Sequence, residues 1–150
     1  MILLPNSFVK RSPELEFAGE IVDAEPTSGF APGDKVIGFI TPDTHVFEQR
    51  GVLAQYIAIK PAELVKRPEF LNPVEGSGVI GVGLTAYQAL FEVAKLRQEP
   101  GQSVFINGGS TSVGMYAIQI AKFYGLKVVA STSPKNAKLV AELGAEVSSI

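Results

Sequence analysis

The sequence predicts a β segment followed by an α/β segment, and three observations carry that fold class. Residues 12–70 are short apolar runs punctuated by turn signals at Pro13, Glu25-Pro26, Ser28-Gly29, Pro32-Gly33-Asp34 and Pro42-Asp43. After Pro73 the apolar spacing turns helical, and residues 103–124 pass from a continuous apolar run through a turn of small residues into an amphipathic stretch. Residues 127–144 then repeat that strand-to-helix order.

In the first segment, residues 17–22, 35–40 and 52–59 are the expected strands, the last with only partial alternation. Together they read as barrel-like all-β material. A helix is expected over 85–96, because Ala86, Leu90, Val93 and Ala94 share one face. The change of character places a domain boundary near residue 75, giving segments 1–75 and 76–150.

The α/β segment is the more informative. Val104-Phe105-Ile106, preceded by the turn signal Pro100-Gly101, has the pattern of a parallel strand buried on both faces. Val113, Ala117, Ile120, Ala121 and Tyr124 recur at helical spacing, and Gly125 is a natural stop. Between them run Gly108-Gly109-Ser110-Thr111-Ser112-Val113-Gly114. A strand, a tight small-residue turn and a helix N-terminus together attract anions, because first-turn N–H groups lack intrahelical partners and the helix dipole adds positive charge. A plain connection is the alternative, but it needs one capping residue at most, whereas Ser110, Thr111 and Ser112 all carry hydroxyls.

In the second unit, residues 127–131 are strand-like and Ser133-Pro134 provides an N-cap and a first helical residue. Asn136, Leu139, Val140 and Leu143 form the expected inward stripe, and Gly144 ends the helix. This β-α-β-α order is that of a Rossmann-type mononucleotide fold, so the turn reads as a dinucleotide site. Gly108, Ser110, Thr111, Ser112, Val113 and Gly114 are the residues expected at the pyrophosphate.

Charge selects the dinucleotide. An Asp or Glu at the end of the second strand would bond the ribose 2′-OH of NAD. Here Ser131-Thr132-Ser133-Pro134-Lys135-Asn136 holds no acid. A carboxylate repels a 2′-phosphate, while hydroxyl, ammonium and amide groups bind one, so NADPH is favoured over NADH. Ser133, Pro134, Lys135 and Asn136 are assigned to that phosphate. The alternative makes Ser133 only a cap and Lys135 only a solvated charge.

The composition, 46% hydrophobic and 19% charged, fits neither a disordered chain nor a membrane span. A net charge of −2 gives no reason to expect nucleic acid or an anionic membrane as partner. The absence of cysteine excludes disulfides, thiol catalysis and thiolate zinc sites within these residues, and agrees with a reducing compartment. Residues 1–5, Met-Ile-Leu-Leu-Pro, are too short an apolar run for a signal peptide, so a cytoplasmic location is expected.

Three segments in this order resemble the medium-chain dehydrogenase/reductase superfamily, on its zinc-independent quinone oxidoreductase and enoyl reductase side. Phe17-Ala-Gly-Glu-Ile-Val22 with Pro32-Gly-Asp-Lys-Val-Ile-Gly38 resembles the family's GroES-like barrel. Gly83-Leu-Thr-Ala-Tyr-Gln-Ala-Leu90 is similar to the helix entering the cofactor domain, and the turn from Gly108 to Gly114 with the Ser133 segment is the third match. Gly-Gly-Ser-Thr looks most like fungal stand-alone enoyl reductases that assist polyketide synthases.

The resemblance implies hydride transfer from NADPH to a quinone or an α,β-unsaturated carbonyl, a small-molecule substrate, and a homo-oligomer or a partner synthase. It places Thr85 on the nicotinamide side. It names no catalytic acid, although Tyr87 could donate a proton or simply belong to the core. Departures are visible: the turn has Thr111 where the family has glycine, and Leu15 precedes Glu16 where zinc-dependent relatives carry His. His45, among Asp43, Thr44 and Glu48 in an expected loop, reads as a surface histidine, so no metal is expected. Against the family's length, the opening barrel strands and the second half of the nucleotide fold are missing, and the chain stops within an expected third strand. A truncated, non-catalytic NADPH-binding or interaction module is therefore the rival to the reductase, and a plain GroES-like interaction domain is a third reading.

Overall fold

The computed structural model describes residues 13–48 and 50–149; the opening run of residues 1–5 and the closing Ile150 lie outside them. The chain divides into two units, Met1–Gly81 and Val82–Ile150.

In the first unit, β1 (Glu16–Glu20), β2 (Lys35–Phe39) and β3 (Leu64–Lys66) form an antiparallel sheet in the order β1-β2-β3. Ile37 faces Ala18 on one side and Val65 on the other. The Asp34 carboxylate stabilises the turn entering β2, accepting from the Ala31 N–H at 2.9 Å and pairing with Lys66 of β3 at 2.9 Å. Val36, Ile37, Ile40 and Val52 are the buried apolar side chains here.

Residues 42–47, expected as loop, form α1 (Pro42–Phe47), because Thr41 accepts from the Thr44 N–H and Pro42 occupies the first helical position. His45 lies on this helix, its Nδ1 2.5 Å from the Arg50 carbonyl oxygen. A second short helix, α2 (Pro73–Gly76), starts with a reciprocal cap between Asn72 and Glu75.

The strand expected over 52–59 is not formed. Val52 is buried while Leu53 and Tyr56 are exposed, so no regular alternation commits the segment to one face. The Arg50 guanidinium bonds the Ala58 carbonyl instead, holding the segment as an irregular arc.

The second unit begins within α3 (Ile80–Tyr87), which continues as a π-helical turn over Gln88–Val93. Then follow β4 (Ser103–Ile106), α4 (Ser112–Phe123), β5 (Lys127–Thr132), a 3₁₀ turn (Pro134–Asn136), α5 (Ala137–Glu142) and β6 (Glu146–Ser149). The strands are parallel in the order β4-β5-β6, with Val104 beside Val128 and Ala130 beside Val147. Gly125 and Gly144 end α4 and α5 with positive φ angles of 74° and 100°. The core gathers Ala86, Leu90, Ala117, Ile118, Ala121, Leu126, Val128, Ala130, Val140 and Ala145.

Three packing expectations are corrected. β4 is not buried on both faces, since Phe105 is 62% exposed. The strand is an edge of the sheet, and only Val104 and Ile106 pack on the core. Val93 is 79% exposed rather than inward. The Ala94 N–H bonds the Ala89 carbonyl, five residues back, and this wider turn shifts the helical phase so that Phe91 and Leu96 pack in its place. On α5, Leu139 is 43% exposed and Val140 alone is fully buried.

Candidate functional site

The candidate site is the pair of turns leaving the C-terminal ends of β4 and β5. Parallel strands carry both turns to the same end of the sheet, where α/β folds bind ligands. Gly108 turns the chain with a φ of +82°. Thr111, the N-cap of α4, then closes the turn: its Oγ1 donates to the Gly108 carbonyl at 2.8 Å and accepts from the Gly114 N–H at 3.0 Å. Its hydroxyl is thus engaged in shaping the turn. Gly114 is required by close approach, because any Cβ there would collide with the Gly108 carbonyl oxygen. Capping by Thr111 satisfies the Gly114 donor, leaving the Ser112 and Val113 N–H groups of the first turn facing outward from the helix end.

Two sets of hydrogen bonds fasten this turn to the one after β5. Ser131 Oγ accepts from the Gly108 N–H at 3.1 Å and donates to Asn107 Oδ1 at 2.6 Å, while the Gly109 N–H bonds the Ser131 carbonyl at 2.8 Å. Beside these, Thr132 Oγ1 and Asn136 Nδ2 donate to Ser110 Oγ at 3.0 and 3.1 Å. Ser131 and Thr132 are the buried polar residues of the described chain.

The structure therefore brings Ser110 against Asn136. Ser133 stands at the cap position and Pro134 opens the 3₁₀ turn, yet the Ser133 side chain makes no capping bond. Ser133, Pro134 and Lys135 are exposed, and no carboxylate occurs from Ser131 to Asn136. Thr85 lies apart from these turns in sequence, exposed on α3. Tyr87 packs edge-on against Phe91, which packs on Tyr124, and its hydroxyl accepts from Gln98 Nε2 at 2.6 Å. Asn107, Ser131 and Thr132 were not singled out from the sequence as site residues. Polar residues ending otherwise apolar strands are the signal that could have found them.

No protein-family model matches the chain. It is 34% identical over 141 residues to a trans-enoyl reductase of Aspergillus terreus, covering 90% of this chain and 38% of the relative. It is 33% identical to a chloroplastic quinone-oxidoreductase homolog of Spinacia oleracea, covering 96% and 43%. The quinone oxidoreductase of Coxiella burnetii superposes with a TM-score of 0.77 at 30% identity, over 91% of this chain and 41% of that one. The chain's homologues are trans-enoyl reductases and quinone oxidoreductases, and its structural neighbours are oxidoreductases of the medium-chain dehydrogenase/reductase superfamily. The chain spans about two fifths of the length of these relatives. Among the described residues no three His, Cys, Asp or Glu side chains group as metal ligands, and no helix is long and apolar enough to cross a membrane.

Proposed function

We propose that this chain supplies the adenosine side of the cofactor site in an NADPH-dependent oxidoreductase. The reaction would transfer hydride to a quinone or an α,β-unsaturated carbonyl without zinc. On this reading residues 1–75 belong to a GroES-like domain and residues 76–150 to a Rossmann-type domain. The names of the relatives favour a reductase over a non-catalytic interaction module. Leu15 in place of the zinc-dependent members' histidine, and the lack of cysteine, support the zinc-free chemistry.

The observation that carries the reading is the acid-free end of β5, where Ser133 and Lys135 are exposed next to the Asn136–Ser110 bond. NADPH, when bound, supplies the hydride. The Ser112 and Val113 N–H groups at the start of α4 would meet the pyrophosphate, and the Gly108 and Gly114 backbone leaves room for it. The Lys135 ammonium and the Ser133 hydroxyl would meet the 2′-phosphate, with Pro134 fixing the turn between them. Thr85 is proposed at the nicotinamide side. A small-molecule substrate, a cytoplasmic location, and a homo-oligomer or partner synthase complete the proposal, with no nucleic acid or membrane as partner.

Calorimetric titration of the full chain with NADPH and NADH tests it. Tighter binding of NADPH is expected, and Lys135→Ala should weaken it roughly tenfold or more while leaving NADH nearly unaffected. Equal affinity for both cofactors would overturn the assignment.

A further inference from the structure

The Ser110 hydroxyl sits between the two turns and is partly buried, with access to the site. A serine hydroxyl has one proton to donate and two lone pairs to accept with. Both acceptor positions are occupied: Asn136 Nδ2 donates to Oγ at 3.1 Å and Thr132 Oγ1 donates at 3.0 Å. An amide NH₂ can only donate, so the Asn136 bond fixes one direction without ambiguity. Thr132 is 4% exposed, so water offers its hydroxyl proton no other acceptor and Ser110 Oγ receives it. What remains to Ser110 is its own O–H. Thr111, the neighbouring hydroxyl, is by contrast engaged on both its donor and acceptor sides within the turn.

We infer that Thr132 and Asn136 are positioning residues that make Ser110 an obligate donor, aimed at a phosphate oxygen of the bound dinucleotide. The inference rests on the proposed nicotinamide-cofactor site and goes beyond it by separating the hydroxyls of the turn: Ser110 recognises the anion, and Thr111 builds the turn. A hydroxyl with its proton already oriented meets an anion without first giving up another acceptor, and hydrogen bonds to charged groups are the stronger kind. The 2′-phosphate and the pyrophosphate share this chemistry, and comparing the two cofactors distinguishes them.

The experiment is a double-mutant cycle on the full chain, titrated with NADPH and NADH. Thr132→Val removes the hydroxyl at nearly constant shape, and Asn136→Ala, at a partly buried surface position, is the second probe should Thr132→Val fail to fold. Each is expected to weaken NADPH binding several-fold, approaching the roughly tenfold loss expected of Ser110→Ala. Neither should weaken it further once Ser110 is alanine. Thr132→Ser, which keeps the hydroxyl, should restore binding. A loss confined to NADPH assigns the proton to the 2′-phosphate, and a loss shared with NADH assigns it to the pyrophosphate. Additive losses in the Ser110→Ala background would overturn the inference while leaving the cofactor site standing. Failure of the folded wild-type chain to bind either cofactor would overturn both.

Discussion

Gly114 faces the carbonyl oxygen of Gly108 so closely that a single added methyl has nowhere to go. The obstructing atom is backbone, on the far side of a turn that Thr111 ties shut. Gly114→Ala should therefore destabilise the second unit by about 1–3 kcal/mol, the range for forced overpacking. Gly78→Ala is the control, since a Cβ there meets nothing within 4 Å. Chemical denaturation of both variants checks the contrast, and equal midpoints would show that the turn relaxes.

Thr111→Val keeps the shape of the side chain and deletes both of its turn-closing bonds. Loss of an N-cap hydroxyl costs about 0.5–2 kcal/mol. The upper end is expected here, because the same oxygen also donates to Gly108. Thr111→Ser should recover most of the loss in the same melts.

The Lys66 hydrogen bond, with the Ala31 N–H, holds the Asp34 carboxyl below its ordinary range. A carboxyl depressed on folding stabilises the protein above its unfolded value, and that stability is lost as pH falls through the folded value. Asp34→Asn should thus be less stable than wild type at all pH values above about 5, with the gap closing in acid. Parallel urea titrations at pH 7 and pH 3 would reveal a pH-independent gap if the ion pair contributes nothing.

Ile118 and Phe105 should respond oppositely to truncation. Ile118 is fully buried between α4 and the sheet, so Ile118→Ala should cost about 2–5 kcal/mol. Phe105, largely exposed on the edge strand, should tolerate Phe105→Thr within about 0.5 kcal/mol. A large cost at Phe105 would mean that its face is covered in solution.

The strand-turn-helix order, the stops at Gly125 and Gly144, and the acid-free end of β5 were legible because each depends on residues close in sequence. What the sequence left hidden depends on neighbours in space. Thr132 and Asn136 reach Ser110 across 22 and 26 residues, and Ser131 reaches Asn107 across 24. The apolar run Val104-Phe105-Ile106 reports hydrophobicity but not its place at a sheet edge, so Phe105 was misassigned to the interior. Val93 was misplaced because helical spacing assumes a uniform turn, and the five-residue bond at Ala94 breaks that uniformity. The strand expected over 52–59 had weak alternation to begin with, and Leu53 and Tyr56 point away from the core.

The bonds that fasten the β4 turn to the β5 turn also bear on what a ligand must do on arrival. Connecting loops commonly sample many conformations, and selecting one of them subtracts from binding through lost entropy. Here Gly108, Gly109 and Ser110 are each held to residues of the β5 end by hydrogen bonds within the chain itself. Association would then proceed onto a surface already in its receiving shape, as a rigid docking. Backbone amide exchange at Gly109 should be as slow as in the adjoining strands, with little further protection on saturation.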